Sequence, residues 1–156
     1  MRSVIGLVVW IGLCLLVGWG GSVFTARSVG DWYAGLNKPL WTPPSAVFAP
    51  VWSALYVMMG VAAWLVWRRG GLTAVAVPLA LFGIQLALNV AWSAIFFGLR
   101  RPGWAFVEIV ALGALILATV IAFRRISPTA GYLLLPYLAW VTFAAALNLA
   151  IWRANA

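Results

Sequence analysis

Polar positions are scarce along the chain and fall between five long apolar runs, at about 4–25, 46–67, 72–97, 103–123 and 129–152. Each run reaches the length of about 20 residues that a helix needs to cross the hydrocarbon core of a bilayer. The pattern predicts an all-α integral membrane protein: a single domain over 1–156, built as one bundle of five transmembrane helices. The first run follows a basic residue and resembles a secretory signal, but the apolar part of a signal spans about 7–15 residues and this run is longer, so it reads as the first helix. Arg68-Arg69-Gly70-Gly71 ends the second helix, Gly98-Leu99-Arg100-Arg101-Pro102 makes a tight connection, and Arg124-Arg125-Ile126-Ser127-Pro128 closes the fourth. Pro50 is expected to bend the first turn of the second helix or mark its start, Pro78 to kink the third, and Pro136 to kink the fifth. Five crossings put the termini on opposite sides, and an odd number argues against two inverted halves.

The one long polar interruption is the loop 26–45, whose core reads DWYAGLNKPLWTPPSAVFAPVW from Asp31 to Trp52. Lys38-Pro39 and Pro43-Pro44 favour an extended path. Trp32, Tyr33 and Trp41 are amphipathic rings that settle at an interface or over a pocket mouth. The stretch therefore reads as an ordered aromatic lid. The lid face also receives Trp19, Trp52, Trp92, Trp104 and Trp152 of the eleven tryptophans, an excess that points to a site beneath the loop. The alternative is that tryptophan is simply common in small bundles.

Composition narrows the chemistry. The chain is 66% hydrophobic and 8% charged, with a mean hydropathy of +1.08. Its ten basic residues punctuate the apolar runs, where bases meet lipid headgroups, so the net charge of +8 does not indicate nucleic acid. Arg2, Arg68, Arg69, Arg124 and Arg125 fall on one side, and Arg27, Lys38, Arg100, Arg101 and Arg153 on the other, which leaves the orientation undecided. With no histidine, one cysteine (Cys14) and only Asp31 and Glu108 as acids, there is no basis for a metal site, a disulfide, or Ser-His or Cys-His catalysis.

Few polar residues lie inside the spans. Gln85, Asn89 and Ser93 share one stripe of the third helix and read as interhelical hydrogen-bond glue, as do Asn148 and Thr142 on the fifth. Glu108 is the only acid within a span. Five residues past Gly103 it lies near the arginine-rich interface, so an ion pair is expected, and Glu108→Gln should then lower stability. Small residues recur every fourth position as Gly83, Ala87 and Ala91, as Ala114, Ala118 and Ala122, and as Cys14, Gly18 and Ser22. Such ladders let helices approach closely, and the first suggests a homodimer.

The motifs WYAGLNKPLWTPP (32–44), PVW (50–52), QLALNVAW (85–92), FFG (96–98), PYLAW (136–140) and ALNLAIWR (146–153), in this order and spacing, resemble the translocator protein family of tryptophan-rich sensory proteins. That resemblance implies a five-helix bundle, usually dimeric, in a bacterial cell membrane or the mitochondrial outer membrane. It implies a ligand such as protoporphyrin IX or haem, with no required cofactor. Carried over by motif, Trp52 and Trp140 would be pocket tryptophans, with Asn89, Trp92, Trp104 and Ala144 lining the pocket and Trp32, Tyr33, Trp41 and Pro44 in the lid. The family's cholesterol motif on the fifth helix is broken, because Leu149 and Ala150 stand where a tyrosine is needed, so no tight sterol binding is expected. Two functions stay open: a porphyrin-binding protein that senses, sequesters, transports or photo-oxidatively breaks down its ligand, with Trp52 and Trp140 the only candidates for that chemistry, and a small proton-coupled transporter of lipophilic cations that uses Glu108. A plain interaction protein is a third.

Overall fold

The computed structural model describes the backbone of residues 1–156 and every side chain except that of Arg2. Its elements, in chain order, are α1 (Arg2–Ser28), α2 (Ser45–Ala74), α3 (Ala76–Ser93) prolonged by a π turn (Ala94–Gly98), α4 (Pro102–Ile126), α5 (Pro128–Leu133) and α6 (Leu135–Ala154). They make five spans, with α5 and α6 together forming the fifth. In hydrocarbon every backbone N–H and C=O must be paired within its own segment, which is why apolar runs of this length fold as helices.

The prolines and glycines act where the sequence places them, except Pro78 and Pro50. The second helix is broken at Gly71, whose φ of 67° is open to glycine at no steric cost. The chain then turns at once into α3, so Pro78 is the third residue of that helix rather than a kink within it. Pro136 stands at the start of α6, just past the break at Leu134 that divides the fifth span. Pro50 lies inside α2, which begins at Ser45.

α1 and α2 cross closely. A Cβ added to Gly60 would lie 2.6 Å from the Cα of Ile11, so only glycine allows this approach. One turn of α1 beyond Cys14, Gly18 faces the ring of Tyr56. Cys14 and Gly18 thus serve packing inside the bundle, whereas Ser22 of the same ladder is exposed. Gly83 and Ala87 of α3 are exposed, and a Cβ at Gly83 would meet nothing within 4 Å, so that ladder faces away from its own bundle.

The main core contains Met59, Phe82, Ile116, Phe123 and Tyr137, drawn from four of the spans. A second cluster under the loop gathers Tyr33, Phe96, Phe97, Ala105, Leu147 and Ile151. The π turn brings the adjacent Phe96 and Phe97 both inward, their centroids 4.8 Å apart. The carbonyl of Phe97 accepts the Ser28 hydroxyl at 2.7 Å, which fixes the end of α1 against this turn.

The loop is ordered by its own polar groups. Lys38 folds back so that Nζ donates to the carbonyls of Tyr33 (2.7 Å), Leu36 (3.2 Å) and Ala34 (3.3 Å) and lies 4.8 Å from the Tyr33 ring centroid. Asn155, just beyond α6, takes the loop from the other side. Its Oδ1 accepts from the Asn37 N–H at 2.9 Å, and its Nδ2 donates to the carbonyls of Asn37 and Ile151, both at 2.8 Å. The amide thereby joins two points 118 residues apart in sequence, and Trp41 rests edge-on against Phe143 of α6 at 5.7 Å. The Asp31–Arg100 pair, at 3.6 Å between exposed side chains, adds little.

Asn155→Ala removes both bonds to Asn37 and leaves the bundle untouched. Amide hydrogen exchange across residues 30–42 is expected to speed up by about fivefold or more, with thermal unfolding of the bundle unchanged. Equal exchange in the two proteins would mean that the loop is held by Lys38 and its aromatic rings alone.

Candidate functional site

Beneath the loop, among α1, α2, α3 and α6, lies a cavity of about 520 Å³, within the range of about 300–1,000 Å³ typical of small-molecule sites. Its walls are mostly aromatic and aliphatic, and no charged side chain lines them. On the α1–α2 flank, Trp19, Ser22, Ala49 and Ser53 line the cavity and are exposed.

Trp52 and Trp140, paired in sequence only by motif, line the same cavity. Trp52 stacks on Tyr56 one turn along α2, with centroids 5.7 Å apart at 28°, and meets Tyr137 edge-on at 6.2 Å. Trp140 lies edge-on to Phe48 at 6.1 Å and tilted against Phe143 at 5.5 Å. Trp92, Asn89 and Ala144 are lining residues too, and Tyr33, expected in the lid, also reaches the cavity wall. The hydroxyl of Tyr33 is buried without a hydrogen-bond partner, and burial pushes its pKa above the ordinary tyrosine value.

Four expectations need correction. Trp104 does not line the cavity: it is 68% exposed, because Ala105, Ile109 and Leu112 are the inward positions of α4 and Trp104 stands about 100° around the helix from Ala105. Trp32, Trp41 and Pro44 lie in or beside the loop without reaching the cavity, Trp32 packing edge-on against Phe96 at 5.6 Å and Pro44 capping the start of α2. Thr142 is not interhelical glue, since its hydroxyl donates to Leu138 of its own helix at 2.8 Å and is exposed. Glu108 has no ion pair among the described residues, and both of its carboxylate oxygens are buried without a hydrogen-bond partner.

Gln85, Asn89 and Asn148 are interhelical glue, and Asn89 and Asn148 also line the cavity, whereas Ser93 lines it without being such a tie. Tyr56 Oη donates to Asn89 Oδ1 at 2.5 Å, Asn89 Nδ2 donates to Tyr137 Oη at 2.8 Å, and Tyr137 Oη donates to Gln85 Oε1 at 2.7 Å. One chain of three bonds therefore ties α2, α3 and α6 together. A second tie runs from Trp92 Nε1 to Asn148 Oδ1 at 2.9 Å, and from Asn148 Nδ2 to the carbonyl of Pro102 at 2.8 Å. Sequence reasoning singled out Asn89 and Gln85 but missed Tyr56 and Tyr137. The signal was present in the spacing, since Tyr56 lies one turn past Trp52 and Tyr137 sits within the PYLAW motif.

Two measurements test this wiring. Asn89→Leu leaves the Tyr56 hydroxyl buried without an acceptor and is expected to cost about 1–3 kcal/mol in detergent unfolding, while Trp104→Ala costs much less. Glu108→Gln removes a charge that no partner balances, so thermal stability should hold or rise. A clear fall in the melting temperature would restore the ion pair.

Comparison with known proteins places this arrangement. Residues 10–153 match the model of the TspO/MBR family. The human translocator protein is 51% identical over 137 residues, covering 86% of this chain and 81% of its own. The tryptophan-rich protein TspO of Chlorobaculum tepidum is 44% identical, covering 99% and 98% of the two chains, and that of Archaeoglobus fulgidus is 43% identical, covering 99% of each. A five-span bundle with an aromatic cavity under its first loop, matched along nearly its whole length, is a multi-pass membrane protein of binding or sensing type, and the chain belongs to the TspO/MBR family.

Proposed function

We propose that the protein binds a tetrapyrrole, such as protoporphyrin IX, in the cavity under the loop and acts in its sensing, sequestration, transport or light-driven breakdown. The observation that carries this reading is the indole-rich wall, where Trp52 and Trp140 line one apolar space beside Trp92. Flat macrocycle faces stack well on indoles, and such contacts contribute about 0.5–1.5 kcal/mol each beyond the area they bury. Haem would meet the same indole faces, and the chain has no histidine to ligate its iron. The names of relatives, translocator protein and tryptophan-rich sensory protein, agree with a translocating or sensing role.

Proton-coupled export through Glu108 is the second reading. Its supporting observation is the carboxylate without a partner. It is the weaker of the two, since Glu108 does not line the cavity.

Binding of protoporphyrin IX, followed by tryptophan quenching, and bleaching of the bound porphyrin under illumination test the first reading together. Trp52→Phe and Trp140→Phe should each weaken binding by about two- to tenfold, the worth of one stacking contact. Indole is far easier to oxidise than a phenyl ring, so light-driven bleaching should fall much more than affinity in both variants. Trp64→Phe, whose indole bonds to the Ser3 carbonyl at the far end of the bundle, should change neither. Parallel loss of binding and bleaching would reduce the two rings to packing, and no loss would move the ligand elsewhere.

A further inference from the structure

The end of the bundle away from the loop carries four exposed arginines: Arg68 and Arg69 in α2, and Arg124 and Arg125 in the last turn of α4. No carboxylate side chain balances them. The chain has only two, Asp31, which pairs with Arg100 beside the loop, and Glu108, which lies about 24 Å along α4 from Arg124 at 1.5 Å per residue. Two of the guanidinium groups are seated on aromatic rings. That of Arg68 lies 4.8 Å from the ring centroid of Trp64, whose Nε1 donates to the Ser3 carbonyl at 2.7 Å, and that of Arg124 lies 5.6 Å from the ring centroid of Tyr132 in α5. The short α5 packs against both α2 and α4, and a Cβ added to Gly131 would stand 2.7 Å from that of Arg124. A guanidinium stacked on a ring is held flat, with its edge N–H groups free to take phosphate oxygens in pairs.

The surface next to these arginines is apolar. Ile121, one turn before Arg124 and Arg125, lines a shallow hollow with them, and Leu72, Val77 and Tyr132 are exposed at the same end. A free phosphate ion would use the guanidinium groups and leave this rim bare, whereas a phospholipid sets its phosphate on the first and its acyl chains along the second. A zwitterionic headgroup would also bring its own cation close to four arginines, which favours a headgroup of net negative charge. We propose that this end of the bundle is a binding surface for an anionic phospholipid, with Arg124 and Arg125 holding the headgroup phosphate, Tyr132 fixing the fork of Arg124 and Ile121 meeting an acyl chain. The cavity under the loop takes no part in it, so the surface is independent of the ligand bound there.

Native mass spectrometry of the full-length protein in detergent, titrated with dioleoylphosphatidylglycerol or dioleoylphosphatidylcholine, counts the lipids bound per chain. Each arginine near a membrane surface is worth about fivefold in affinity for an anionic lipid, so phosphatidylglycerol should bind about tenfold more tightly than phosphatidylcholine, or better. The double variant Arg124→Gln/Arg125→Gln should lose most of that preference, and Arg124→Lys, which keeps the charge but not the fork, should fall in between. Phosphatidylcholine binding should stay unchanged in both and so reports an intact surface. Arg101→Gln/Arg153→Gln, which removes the same charge at the loop end, should keep the preference. Equal affinity of the unaltered protein for the two lipids would overturn the proposal, as would an equal loss in the loop-end variant, which would reduce the effect to net charge. Displacement of phosphatidylglycerol by millimolar inorganic phosphate would overturn it too, because the apolar rim would then contribute nothing.

Discussion

The solvent around this bundle accepts and donates no hydrogen bonds, and most of the structure follows from that. A polar side chain inside a span must find its partner on another helix, so the few that occur become the joints of the fold. Tyr56, Asn89, Tyr137 and Gln85 are such joints, linked by three bonds of 2.5–2.8 Å across α2, α3 and α6. They fix the angle at which these helices meet and so set the floor of the cavity above them.

The close α1–α2 crossing at Gly60 has the opposite effect on the space it borders. Below it the two helices are in backbone contact, and beyond Gly18 and Tyr56 their facing residues, from Trp19 to Thr25 and from Ser45 to Ser53, line open space. A void of this size in a small membrane protein leaves its lining without packing partners, which is tolerable only where large aromatic side chains brace one another. The stacked pairs Trp52–Tyr56 and Trp92–Phe96 supply that bracing, with centroids 5.7 and 5.1 Å apart. The loop completes the enclosure, held from within by Lys38 and from the fifth span by Asn155. Loop ordering is thereby coupled to α6, which carries Trp140, Ala144 and Ile151 on the cavity side and Asn155 just beyond its end.

Chemistry at the site is limited by the same composition that lets the chain live in lipid. The chain has no histidine and two acids, and no charged residue stands on the cavity wall. The oxidisable side chains on its wall are indoles and phenols, Trp52 and Trp140 among them.

The five spans, the loop between the first two, the breaks at Gly71 and before Pro136, and the placing of Trp52 and Trp92 near the loop end were legible in the sequence, with Trp140 added by the family motif. All depend on hydropathy, local backbone preference or motif spacing, which are properties of neighbouring residues. Tertiary structure alone decided which face of each helix looks inward, because a weakly amphipathic membrane helix carries little record of its own rotation. Trp104 turned outward for that reason, and Glu108, expected beside arginines at its depth, was left without one. Tyr137 became the hub of the polar chain, and Asn155 met Asn37, through contacts between residues 48 and 118 positions apart, a distance over which no sequence periodicity carries information.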